Sequence, residues 1–207
     1  TVILTTDEEI GMIGASALCT DGLSAKKMIN LDSEEDDTVT VSCAGGSDFS
    51  AVLNVKRETH TGNEIVISIS GLLGGHSGVE INRGRVNASI LMGRVLNYLN
   101  SKCKFDVVSI VSGDKCNAIP NKCSVTLLSD DENLQTLAGE YLEIVKAEIS
   151  ARESEFCFKV ASNGKKECLV IDEESKKMLI YTLVCVPNGI VEMSKEIEGL
   201  VETSLNL

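Results

Sequence analysis

The sequence predicts a short α/β segment followed by a larger α+β domain. Two observations carry this. Residues 1–32 hold an apolar run, a helically spaced stretch and a second apolar run. From about residue 46, after Gly45-Gly46, strand-like runs alternate with amphipathic stretches. Hydrophobic residues make up 43% of the 207, enough for a core. Aromatics are 3% and Trp is absent, so that core is aliphatic.

The elements follow in order. Residues 1–6 read as a strand, "EIGMIGASAL" as a helix with Ile13, Ala17 and Leu18 among its apolar positions, and "KKMINLD" (26–32) as a second strand. Strand, helix and strand in so short a span make a βαβ unit with parallel strands. "AVLNVKRE" and "EIVISISGL" suggest an antiparallel pair turning at "THTGN". "GRVNASILMGRVLNYLN" is an amphipathic helix with Val86, Ile90, Val95 and Leu99 inward. "FDVVSIVSG" and "KCSVTLLSD" are strands, "ENLQTLAGEYLEIVKAEISARE" a second amphipathic helix and "FCFKVAS" a strand. Strand, helix, strand, strand, helix, strand is a ferredoxin-like order. "DEESKKMLIYTLVCV" adds a third helix and "GLVETSLNL" a last strand. The expected boundary separates residues 1–44 from 45–207.

Charge and cysteine content narrow the function. Lys and Arg number 19 against 31 Asp and Glu, a net charge of −12. That disfavours nucleic acid and anionic membrane as partners. No run of about 18 apolar residues is present to span a bilayer. The eight cysteines have irregular gaps and form no CxxC, so they read as reduced, mostly buried thiols of a cytoplasmic protein. The chain opens without Met in what reads as mid-strand and closes in a strand, which points to an internal piece of a longer protein.

Two acidic clusters are the first candidates for chemistry. Asp7-Glu8-Glu9 follows the first expected strand; Asp32, with Glu34 and Glu35, follows the second. Open α/β sheets gather ligands at the carboxyl ends of their strands. Adjacent residues Glu8 and Glu9 point in different directions and suit different jobs. One can hold a metal while the other takes a proton from metal-bound water, which zinc brings to a pKa near 7. The competing reading is an acidic helix N-terminus or a solvated turn. Asp32 pairs with Glu9 as a second metal ligand, or again belongs to a solvated turn.

Three further positions stand in the second part. His76 sits in "GGHSG", where glycines let the backbone bend or approach a ligand, and an imidazole so presented can donate to a developing oxyanion. It also reads as a surface turn. Asn117 in "CNAIPN" is a turn-former or a substrate donor. "CVPNGI" is a turn by composition, with Asn188 open to a substrate contact. His60, in the expected hairpin turn, has no assigned role.

Taken together, "TTDEEIGM", "INLDSEE", "CAGGSDF", "GLLGGHSGVEINRGRVNA", "CNAIPN" and "GLVETSLNL" resemble the M20 family of zinc peptidases, most of all its Xaa-His dipeptidase branch. The resemblance runs over nearly the whole chain. It implies that residues 1–44 are part of a catalytic domain and 45–207 most of a lid and dimerisation domain. Glu8 then matches the general base, Glu9 a ligand of one zinc and Asp32 a ligand of the other. His76 matches the lid histidine that stabilises the tetrahedral intermediate, reaching the partner's site in dimeric members, and Asn117 a substrate-binding position. Implied are two zinc ions per subunit, with manganese or cobalt as substitutes, a small peptide substrate and a homodimer formed through the lid.

The family's upstream H-x-D motif, its bridging Asp and its last zinc-binding His have no match in these residues. Two carboxylates without imidazole hold zinc poorly. The chain alone is therefore expected to bind metal weakly and to be inactive. Other M20 activities (deacylase, tripeptidase, carboxypeptidase) and a non-catalytic ferredoxin-like interaction module are the alternatives.

Overall fold

The computed structural model describes residues 1–8, 11–32 and 36–207. The chain divides into two compact units, Thr1–Cys43 and Ala44–Leu207.

In the first unit the described residues form one helical turn, α1 (Ile13–Ser16), and no strand. The expected strands over 1–6 and 26–32, and with them the βαβ unit, are therefore not formed. Val2, Leu4, Met28, Ile29 and Leu31 are each more than 80% exposed, and no described residue of this unit is buried. Parallel strands persist when neighbouring strands pair with them and helices cover both faces. A segment this small buries too little apolar surface to offset the entropy of ordering its backbone.

The second unit is an α+β domain. Its strands are β1 (Arg57–Ser70), β2 (Gly75–His76), β3 (Asp106–Ser112), β4 (Ala118–Ile119), β5 (Cys123–Ser129), β6 (Cys157–Ile171), β7 (Gly189–Met193) and β8 (Val201–Leu205). Its helices are α2 (Ala88–Asn100), α3 (Leu134–Ile149) and α4 (Glu173–Cys185). Among the described residues, the main sheet has the antiparallel order β3-β5-β1-β6. With α2 after β1 and α3 after β5, this is the ferredoxin-like arrangement that the element order suggested.

Period-two burial fixes the inner face of the sheet. Ile65, Ile67 and Ile69 of β1 and Val125 and Leu127 of β5 are buried. They pack with Leu91, Met92, Val95, Leu96 and Leu99 of α2 and with Leu134, Ala138, Leu142, Val145 and Ile149 of α3. Val95 and Leu99 face inward as expected. Val86 packs partly buried against the core, while Ile90 stays at the margin because the stripe turns through Leu91 and Met92. Asn87 caps α2, its Oδ1 accepting from Ser89 N at 2.9 Å and Ile90 N at 3.3 Å. α4 crosses α2 closely: a Cβ on Gly93 would lie 2.6 Å from Leu183 Cβ.

Two local expectations change. "THTGN" is not a hairpin turn but the middle of β1. β6 pairs with β1 along its whole length, from Arg57↔Ile171 to Ser70↔Cys157, and this ladder holds the segment extended. β6 continues to Ile171 past an irregularity at Asn163-Gly164, where the register against β1 shifts. The cysteines are free, but only Cys123 is buried; Cys19, Cys43, Cys116, Cys157 and Cys185 are exposed. Burial pushes the Cys123 thiol up to about 11. No helix among the described residues is long and apolar enough to cross a membrane.

Candidate active site

The acidic loop of the first unit is a set of nested turns. Glu8 O accepts from Gly11 N at 3.1 Å and from Met12 N at 2.9 Å. Asp7 O accepts from Ile13 N, and Thr6 O from Gly14 N at 3.1 Å. Asp7 and Met12 adopt left-handed φ of 59° and 56°. Gly14 is required by close approach, since a Cβ there would lie 2.5 Å from Thr6 O. The loop leaves Glu8 exposed. Asp32 is exposed as well, its N–H donating to Asn30 Oδ1 at 3.2 Å. Glu9, Glu34 and Glu35 lie outside the described residues.

Among the described residues, no group of three His, Cys, Asp or Glu side chains could hold a metal ion. Of the two expected ligands, Glu9 lies outside the described residues and Asp32 is an exposed oxygen donor, with no imidazole or thiolate grouped with it among the described residues.

The histidine loop of the second unit is built differently. β2 and β4 pair antiparallel, with Gly75 opposite Ile119 and His76 opposite Ala118. Ser77 N donates to Asn117 O at 2.9 Å. Two candidates 41 positions apart are thus brought side by side by backbone pairing. His76 Nδ1 accepts from Gly78 N at 3.0 Å and Val79 N at 3.3 Å. A nitrogen that accepts two N–H groups carries no proton, so in the neutral ring the hydrogen resides on Nε2. The side chain is exposed, so this N–H is an outward donor. Gly78 makes room for the ring: a Cβ there would meet Cε1 and Nδ1 at 3.2 Å.

Glu80 and Arg85 brace the loop, and the sequence reading did not single them out. Glu80 Oε2 accepts from His76 N at 2.9 Å, and Glu80 Oε1 from Arg85 Nη2 at 2.8 Å. Arg85 Nη1 donates to Gly74 O at 2.6 Å. The His76 N–H, helped by Arg85 and Arg83, holds the Glu80 carboxyl below its usual range. Gly75 has φ 133°, which a side chain rarely adopts, and a Cβ there, 2.5 Å from Glu80 Oε2, would displace the carboxylate from His76 N. The Glu-x-x-x-x-Arg spacing just after "GGHSG" is the sequence signal that could have pointed to this bracket.

Asn188 is exposed and also ties the chain end to α2. Its Oδ1 accepts from Asn87 Nδ2 at 3.1 Å and from Leu207 N at 3.0 Å. Asn206 Nδ2 donates to Ala118 O at 3.0 Å, tying the end of β8 to β4. His60, left without a role by the sequence, bridges two carboxylates: Nδ1 lies 2.8 Å from Asp106 Oδ2 and Nε2 3.4 Å from Glu58 Oε2.

Residues 67–154, which run from the end of β1 through the His76 loop, α2, β3, β4, β5 and α3, match the peptidase dimerisation domain of the M20 type. The class is thus a peptidase-associated α+β domain, similar over these residues to the dimerisation domain of M20 peptidases. It is 35% identical to the cytosol non-specific dipeptidase of Escherichia coli (strain K12), over 100% of this chain and 43% of that protein. It resembles the crystal structure of aminoacylhistidine dipeptidase from Vibrio alginolyticus with a TM-score of 0.70 and 29% identity, over 98% of this chain and 42% of that one. The chain spans about two fifths of the length of these relatives.

Proposed function

We propose that this chain is part of a dipeptidase that hydrolyses Xaa-His and related dipeptides, with residues 1–44 in its catalytic domain and 45–207 in its lid and dimerisation domain. The observation that carries the reading is the His76 loop, which presents an Nε2–H donor outward beside Asn117. The dipeptidase names of the two relatives support the substrate class. In the whole enzyme Glu8 acts as general base, taking the proton of the attacking water. The His76 N–H donates to the oxyanion as the peptide carbonyl becomes tetrahedral, and Asn117 binds the substrate. Glu9 and Asp32 are the metal ligands contributed by this chain. A pair of zinc ions, or manganese or cobalt, would supply Lewis acidity there once the remaining donors are present. The peptidase dimerisation domain match supports a homodimer, and the name of the Escherichia coli relative supports a cytoplasmic setting.

The test is Glu8→Gln and His76→Ala in the longer protein, assayed on Xaa-His dipeptides. Each variant loses about 100-fold or more in kcat and retains its fold. Unchanged turnover of both would remove Glu8 and His76 from the catalytic site, and no turnover by the unsubstituted longer protein would favour a ferredoxin-like interaction module. Loss of activity on acylated amino acids or tripeptides in preference to dipeptides would move the assignment to another M20 activity.

A further inference from the structure

We infer that Glu153 is a positioning residue for the His76 loop. It follows α3, and its side chain is 1% exposed. Its Oε2 accepts from Leu73 N at 2.7 Å and its Oε1 from Val86 N at 2.9 Å. Leu73 and Val86 are the two ends of the segment that carries "GGHSG". One buried carboxyl group therefore closes the loop that displays the imidazole, and each of its oxygens holds one end.

The two residues are placed for this by backbone. Gly71, at φ 74°, lies against the segment after α3 so closely that a Cβ would overlap Glu155 O. Glu153 N donates to Ile149 O at 2.9 Å and Phe156 N to Glu153 O at 3.1 Å, which turns the chain back towards Leu73. Within the closed segment, Glu80 and Arg85 form the inner bracket and act on His76 N and Gly74 O. The clamp is nested: Glu153 sets the span of the loop, Glu80 sets the histidine backbone inside it. Fixing the ends of a loop removes much of the entropy that would otherwise blur the direction of the Nε2–H. Glu153 itself is not a catalytic group, since both oxygens are engaged by backbone N–H groups and it is buried.

The catalytic consequence rests on the proposed role of His76, but the clamp can be tested without it. In the 207-residue chain, Glu153→Gln keeps the shape and replaces one acceptor oxygen by an NH2 group. Hydrogen exchange followed by NMR should show Leu73 N–H or Val86 N–H exchanging about tenfold faster or more. Val125 and Leu127 of β5 should be unchanged. The imidazole nitrogen shifts of His76 should move from a single Nε2–H tautomer towards a mixture. Glu153→Asp keeps both oxygens but is one methylene shorter, and should loosen the loop in the same way if Glu153→Gln does not fold. Loop amides that keep their protection, or that lose it only in step with β5, would overturn the clamp, as would an unchanged tautomer. In the longer enzyme, Glu153→Gln should lower kcat with KM little changed. A His76→Ala enzyme with full activity would refute the role of the histidine and leave the exchange result standing, so the two failures are distinguishable.

Discussion

The acidic loop and the histidine loop carry comparable chemistry but are held in opposite ways. Glu8 is presented by turns that join residues eight positions apart at most, in a unit where no described residue is buried. His76 is presented by the local bracket of Glu80 and Arg85, by β2–β4 pairing and by Glu153, and the last two reach elements far along the sequence. The histidine loop is preorganised by the unit that contains it, whereas the acidic loop has a local shape and no core behind it. Preorganisation requires a rotamer and a backbone that a packed surrounding over-determines, and only one of the two loops has that.

The contrast can be broken at several levels of effect. The largest is chemical. Glu8→Gln in the longer protein should cost about 10²–10⁴-fold in kcat, while zinc titrated into the 207-residue chain by calorimetry should show no tight stoichiometric uptake. Tight uptake would mean that the acidic loop is a metal site in its own right. Next is packing: Leu96→Ala, at a fully buried position of α2, should cost about 2–5 kcal/mol in urea unfolding. Leu4→Ala, at a side chain 91% exposed, should stay within about 0.5 kcal/mol. Equal costs would show that both units are packed alike. Gly75→Ala forces a side chain at φ 133° against Glu80 and should destabilise by about 1–3 kcal/mol.

The smallest effect concerns pH. The hydrogen bond to Asp106, aided by Glu58, raises the His60 imidazole above its usual value. The protonated ring is favoured in the folded state, so its contribution is complete below the unfolded value and fades as pH rises through the folded one. The exposed site keeps it small. His60→Gln should flatten the slope of stability between about pH 6 and 8, near the ordinary imidazole range. An unaltered slope would remove His60 from consideration.

The helices were legible because their period names the buried face. Leu134, Ala138, Leu142, Val145 and Ile149 form such a stripe on α3, and the sequence order of strands and helices already specified the ferredoxin-like sheet. "THTGN" misled because its turn-forming composition is local, while the pairing of β1 with β6 is not. The apolar runs at 1–6 and 26–32 state which residues favour burial; they do not state whether anything in the unit can bury them. In the candidate site, His76 and Asn117 were readable from their glycine-rich and turn-rich settings. Glu153 was not, since an acidic residue after a helix looks the same whether it faces solvent or holds two amides of a distant loop.

The stacking of Tyr98 on Tyr141 has a practical consequence. The rings lie 4.3 Å apart between centroids and 8° from parallel, joining α2 to α3. The sequence holds three tyrosines and no Trp, and the third, Tyr181, is 63% exposed. Two of the three tyrosine chromophores therefore meet in one contact between α2 and α3. The first unit contains no tyrosine. The molecule thus has a built-in optical gauge that reads the packing of one unit and is blind to the other, so the melting of the domain and events at the acidic loop can be followed as separate signals.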